Sequence, residues 1–196
     1  SCNSTSKGVF GECGMRGGYL DMVNVPEQII EPINKLKLLD VCPNISGQVT
    51  CDVMVNPPTY ENASKETVDH FNKQCSDNFE NLKIKAEILS TELNKIPGIT
   101  SNNIDGSMYA FPKIDIPAFR VKEAQDKGVH PDMLFCMELL DNTGIVAVPG
   151  SGFGQKEGTN HIRLTNLINP KEEMVNMTQK LGEFCKEFFD EKSSKI

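Results

Sequence analysis

The stretch from residue 64 to residue 95 does most to limit how this chain can fold. Val68, Phe71, Cys75, Phe79, Leu82, Ala86, Leu89 and Leu93 recur at steps of three and four. That spacing predicts one long amphipathic helix with a thin apolar seam. At about 1.5 Å per residue it would reach nearly 50 Å, more than a small domain needs. A helix of that reach with a narrow apolar stripe suits a connector between two bodies. Pro97-Gly98 ends it.

The flanks differ in pattern. Before the helix, residues 19–25 alternate polar and apolar and predict a strand. Pro26 suits the head of a helix running to about Val41, with Ile29, Ile30, Ile33, Leu36 and Leu39 on one stripe. Cys42-Pro43-Asn44 breaks that helix. A shorter one follows over residues 46–55, stopped by Asn56-Pro57-Pro58. After the connector, residues 107–111, 144–148 and 160–167 predict strands. Residues 117–127, 131–143 and 170–190 predict helices, each headed by proline. The expectation is an α/β chain in three parts: 1–63, a connecting helix over 64–96, and a small α+β domain over 97–196.

The formal net charge is −7, and Lys83 with Lys85 is the longest basic cluster. This argues against nucleic-acid and anionic-membrane partners. No apolar run approaches the roughly 20 residues that cross a bilayer. The seven cysteines, Cys2, Cys13, Cys42, Cys51, Cys75, Cys136 and Cys185, are scattered. Their spacing fits neither a zinc site nor a redox dithiol, so no metal is expected and reduced thiols in a cytoplasmic protein are.

The opening, Ser4-Thr5-Ser6-Lys7-Gly8 through Arg16-Gly17-Gly18-Tyr19, concentrates unusual chemistry. A lysine amine forms a Schiff base with a carbonyl. Hydroxyls and glycine amides hold phosphate, because only glycine lets backbone approach closely. Arg16 adds a planar double donor suited to phosphate oxygens. An amine for an aldehyde beside a phosphate cradle matches the two reactive ends of pyridoxal phosphate.

Two other readings compete. Ser4-Thr5-Ser6-Lys7 fits the S-x-x-K of penicillin-recognising serine enzymes, and Ser76-Asp77-Asn78 supplies an S-D-N. Lys156-Glu157-Gly158 is not the K-T-G those enzymes need, and residues 76–78 fall in mid-helix. Gly150-Ser151-Gly152-Phe153-Gly154 hints at a nucleotide loop but lacks the Walker lysine.

The order of the motifs resembles the fold-type I pyridoxal-phosphate aminotransferases, and more narrowly the alanine aminotransferase family. The resemblance is carried by Ser4-Thr5-Ser6-Lys7-Gly8, Gly11-Glu12-Cys13-Gly14 and Arg16-Gly17-Gly18-Tyr19. It continues in Cys42-Pro43 with Ser46-Gly47-Gln48, and in Gly106-Ser107-Met108-Tyr109-Ala110-Phe111-Pro112. The most specific string is Thr143-Gly144-Ile145-Val146 with Val148-Pro149-Gly150-Ser151-Gly152-Phe153-Gly154-Gln155, followed by His161-Ile162-Arg163. It implies the carboxyl-terminal part of such an enzyme: the end of the large domain, the connecting helix and the small domain.

The resemblance further implies roles. Lys7 would be the Schiff-base lysine and proton carrier, Ser4 and Arg16 phosphate ligands, and Arg163 the clamp on the substrate α-carboxylate. On residues alone, Arg163 shares a strand face with His161 and Thr165 and is expected to be largely buried, and a buried arginine needs an anion. An internal Asp or Glu would serve as well as a substrate. His161 is expected to be structural, and Tyr109 and Phe111 to lie in the core. The implied reaction moves the amino group of L-alanine to 2-oxoglutarate in a homodimer. Alternatives are a transaminase for another small acid such as glyoxylate, or a non-catalytic interaction fragment. The family's ring-binding residues, an aspartate at the pyridine nitrogen among them, precede the lysine. Only six residues do so here, so the chain alone is expected to be inactive, with the helices around residues 26–55 short of a packing partner.

Overall fold

The structure is a computed structural model that describes residues 1–39 and 43–191. The expected helix end at Val41 and the break at Cys42 lie outside the described residues. The chain divides into two compact units, Ser1–Phe79 and Glu80–Ile196.

In the first unit, β1 (Cys2–Ser4) pairs antiparallel with β2 (Gly18–Leu20), with Ser4 opposite Gly18. β2 is shorter than the strand expected over residues 19–25. The backbone turns left-handed at Asn24 (φ 56°), which no continuing strand can hold. Helix α1 (Glu27–Lys37) starts after Pro26 and carries Pro32 inside it; α2 spans Ile45–Val55. None of α1 is buried, and Gly47 is the sole buried residue of α2. The α1 stripe is open: Ile29 is 51%, Leu36 66% and Leu39 77% exposed. An amphipathic helix is stabilised chiefly by burying its apolar face, and here only Ile30 and Ile33 of that face are partly covered.

Helix α3 (Lys65–Leu93) runs close to the length its seam predicts. Ser64 caps it, its hydroxyl accepting from the Thr67 N–H at 3.2 Å. Within the first unit Val68 is buried, Phe71 stacks on Phe10, and the Asn78 side chain donates to the Val9 carbonyl at 2.6 Å.

The second unit holds the hydrophobic core. Leu89 and Leu93 of α3 pack with Phe135, Leu139, Ile162 and Phe188 in one cluster. Helices α4 (Ala118–Asp126), α5 (Pro131–Thr143) and α6 (Glu172–Phe188) surround short strands. β3 (Ile99–Thr100) pairs antiparallel with β5 (Lys113–Ile114). β4 (Tyr109–Ala110), β7 (Ile162–Thr165) and β6 (Val148–Pro149) form a three-stranded antiparallel sheet in the order β4-β7-β6. The strand expected over residues 144–148 is paired only at its end. Gly144, left-handed at φ 74°, instead terminates α5 and accounts for the residues before it.

Arg120 ties three helices of this unit together. Its Nε donates to the Phe188 carbonyl at the end of α6, and Nη1 reaches Glu123 of α4 at 2.8 Å and Glu138 of α5 at 3.5 Å. Charged partners on two sides and an α6 carbonyl offset the cost of burying the guanidinium.

Candidate active site

The β1–β2 hairpin closes a loop over residues 5–17. Thr5 does the closing. Its N–H and hydroxyl both donate to the Gly17 carbonyl at 3.1 Å, and its own carbonyl accepts from the Glu12 N–H at 2.8 Å. Thr5 and Ser6 are buried at this base, while Ser4, Lys7 and Arg16 are exposed beside it. The Ser4 hydroxyl accepts from the Ser6 N–H at 3.1 Å, a local turn that fixes its direction. Arg16 stands in the left-handed region (φ 53°), and its Nη1 donates to the Cys13 carbonyl at 3.1 Å. Its remaining N–H donors have no partner among the described residues. Nor does the Lys7 amine.

The loop is braced from outside. Gly17 lies backbone to backbone on Gly47, the buried residue of α2, and the Asn44 side chain donates to the Met15 carbonyl at 2.6 Å. Gly17 and the Gly47 of the Ser-Gly-Gln string thus share one structural reason: two segments can touch there only without Cβ atoms. A Cβ on Gly18 would instead meet the Asn3 carbonyl oxygen across the hairpin.

The donor set has two parts that matter for pyridoxal phosphate. An unpaired amine suits an aldehyde, and a hydroxyl with a free guanidinium edge suits a phosphate. Lys7 and Arg16 ride on a loop whose base is hydrogen-bonded shut, and Ser4 stands at its foot, at the end of β1. The residues fit those two ends of the cofactor. Among the described residues the loop offers its ring no carboxylate fixed in place.

Arg163 belongs to the second unit. The burial of β7 alternates as its sequence predicts: Ile162 and Leu164 are buried, and Arg163 is half-buried on the other face. The ring of Tyr109 lies 4.7 Å from the guanidinium carbon and that of Phe153 5.0 Å. Such contacts hold a guanidinium by its π-faces and leave its N–H edge for hydrogen bonds. No acidic side chain among the described residues pairs with it, so the internal Asp or Glu that the sequence allowed is not there.

Tyr109 and Phe111 are not core residues, contrary to expectation. Ala110 between them is buried, and strand alternation turns its neighbours to the open face, where Phe111 is 44% exposed. There Phe111 stacks flat on His161, ring centroids 4.9 Å apart, and meets Phe153 edge-on at 5.8 Å. His161 Nδ1 lies 3.0 Å from Gln155 Oε1, which gives it the structural partner expected of it. Phe153 and Tyr109 beside Arg163 were not foreseen from sequence. The glycines around Phe153 mark a tight turn, but nothing in the string tells which side chain that turn aims at Arg163.

The fold is that of part of a pyridoxal-phosphate-dependent aminotransferase. An alanine aminotransferase structure from Pyrococcus furiosus superposes with a TM-score of 0.68 at 28% identity, over 95% of this chain and 42% of that one. The chain is homologous, over nearly its whole length, to part of the alanine aminotransferases. It is 43% identical over 193 residues to alanine aminotransferase 2 of Xenopus laevis, and 42% identical over 191 residues to the probable mitochondrial alanine aminotransferase of Dictyostelium discoideum. It spans 35% of the length of each. No family model matches the chain. No helix among the described residues is long and apolar enough to cross a membrane.

Proposed function

We propose that the chain is the part of an aminotransferase that carries the Schiff-base lysine and the substrate-carboxylate clamp. In the whole enzyme the amino group of L-alanine passes to 2-oxoglutarate, giving pyruvate and glutamate. The observation that carries this reading is Arg163: a half-buried guanidinium, steadied by two aromatic rings and lacking an acidic partner among the described residues. An α-carboxylate is the planar anion common to every amino-acid and oxo-acid substrate, and it meets a guanidinium edge through two parallel hydrogen bonds.

Pyridoxal phosphate, when bound, supplies an electron sink for the bond-breaking at the substrate α-carbon. Ser4 and Arg16 would hold its phosphate, through the hydroxyl and the guanidinium edge. Lys7 bears the amine that joins its aldehyde. The free Lys7 amine would serve as general base and then general acid for the proton at the substrate α-carbon. Arg163 holds the carboxylate and so limits how the α-carbon can be presented.

The chain alone turns over no substrate, because it covers little more than a third of the relatives it matches and leaves apolar faces of α1 and α2 open. The complete protein works as a homodimer in the cytoplasm. The curated relative from Dictyostelium is named mitochondrial, which makes compartment a separate question from chemistry.

The test is reductive trapping. The 196-residue chain is incubated with pyridoxal phosphate, reduced with borohydride, digested and mapped. Label concentrated on Lys7 supports the assignment; label spread evenly over the exposed lysines overturns it. Alanine–oxoglutarate turnover in a portion assayed before borohydride is added would refute the claim that the chain alone is inactive.

A further inference from the structure

Asp132 is second in α5, after Pro131, and its side chain is 0% exposed. A buried carboxylate is costly unless its charge is met by donors. Here it sits in the first turn of a helix, where free N–H groups favour negative charge. Its Oδ2 accepts two hydrogen bonds of 2.7 Å, from the Ser151 backbone N–H and from Gln155 Nε2. Its Oδ1 accepts none among the described residues. Both donors come from the turn over residues 150–155. At Gly150 that turn has no slack: a methyl there would collide with Gln155 Oε1 and stand 2.8 Å from the His161 carbonyl oxygen.

The Gln155 bond settles a second question. A carboxylate only accepts, so the Gln155 amide must turn its NH2 toward Asp132 and its oxygen toward His161. An amide oxygen also only accepts, so His161 Nδ1 must carry a proton. When neutral, the imidazole is held as the Nδ1–H tautomer, with its lone pair on Nε2. The same turn carries Phe153, which lies against the Arg163 guanidinium.

We propose that Asp132 is a positioning residue for the Arg163 carboxylate site. By anchoring the 150–155 turn it sets Phe153 against the guanidinium, and through Gln155 it fixes the tautomer of His161 on the same face of β7. This rests on the reading of Arg163 as the carboxylate clamp. One oxygen receives both donors, so a variant that keeps an acceptor there separates the acceptor from the charge. Asp132→Asn would keep that oxygen; Asp132→Leu would keep the branched shape and lose it.

The test uses the 15N-labelled 196-residue chain and two signals that need no ligand: the His161 ring nitrogens and the Arg163 Nε–H. The wild-type chain should show the Nδ1–H tautomer near neutral pH and an Arg163 resonance shifted upfield by the two rings. Asp132→Asn should preserve both. Asp132→Leu should give mixed tautomers, move the Arg163 signal toward its random-coil position, and weaken titration by 2-oxoglutarate several-fold. If Asp132→Leu does not fold, Asp132→Ser, too short to reach Gln155, takes its place. An Nε2–H tautomer in the wild type overturns the proposal without any variant. So does a folded Leu or Ser variant with unchanged signals. If Arg163→Gln binds 2-oxoglutarate as the wild type does, the clamp reading fails, while the tautomer and Arg163 signals still decide the positioning.

Discussion

Gly17 and Gly47 meet without side chains: a Cβ built on Gly17 would stand 2.6 Å from the Gly47 carbonyl oxygen. This contact is where the loop bearing Lys7 and Arg16 leans on α2. Backbone cannot yield to a methyl as a flexible side chain can. Gly17→Ala or Gly47→Ala should therefore destabilise the first unit by about 1–3 kcal/mol, the usual cost of forcing atoms into a packed contact. Gly14→Ala is the control. It lies in the same loop with nothing within 4 Å of a built Cβ, and should change little. Chemical denaturation followed by a probe in the first unit would separate the three.

Arg163→Lys should lose carboxylate binding almost as fully as Arg163→Gln. A lysine keeps the charge but gives up the planar fork and the flat stacking that Tyr109 and Phe153 provide. Titration with 2-oxoglutarate measures the loss. A Lys variant that binds as the wild type would show that charge alone suffices.

The thiols should fall into two kinetic classes. Cys2 and Cys13 are exposed; Cys136 and Cys185 are buried. Burial pushes both buried thiols up to about 12, and the Asp132 carboxylate one turn away adds to the effect at Cys136. A disulfide reagent at neutral pH should modify Cys2 and Cys13 quickly, and Cys136 and Cys185 only as the second unit unfolds.

The same thiols make alkali destabilising. An unfolded thiol ionises near 9, whereas the folded ones hold their protons to about 12. Folding therefore binds more protons in that window. The stability these two thiols contribute is fully present below pH 9 and falls as pH rises toward 12, by about 1.4 kcal/mol per pH unit for each thiol. Cys185→Ala should flatten the dependence of the unfolding midpoint on pH across that range. A slope unchanged by the substitution would count against the assignment.

Lys85 is a burial the fold tolerates at a cost. It is 2% exposed, donates to Asn169 Oδ1, and has no acidic partner among the described residues. Burial lowers its pKa, so the protonated form opposes folding and the penalty eases as pH rises toward the unfolded value of 10.5. Lys85→Met should stabilise the second unit at neutral pH, seen as a higher unfolding midpoint. The gain should shrink in alkali, where the wild-type amine is already neutral.

Local signals were readable where they were self-contained. Helix α5 has its predicted bounds because both ends are written in the chain, with proline at the first position and a left-handed glycine after the last. The alternation of β7 likewise told which way Arg163 faces. Pairing was not readable. The strand forecast before Val148 assumed a partner for residues 144–147, and partners are a property of distant sequence. The same holds at the site. The order of Lys7, Arg16 and the Pro-Gly-Ser-Gly-Phe-Gly-Gln string could be seen. That Phe153 reaches Arg163, and that Asp132 lies under the turn, follows only from three segments folding together.

The sheet that carries Arg163 also has a bearing on how the chain behaves in solution. Its outer strand β6 is two residues long, and one of them, Pro149, has no N–H to offer an incoming strand. Short edges and edge prolines are how β-proteins refuse strand addition from a second molecule. Strand addition to this sheet is thus blocked at β6, and the exposed apolar residues of α1 and α2 offer a different surface for self-association.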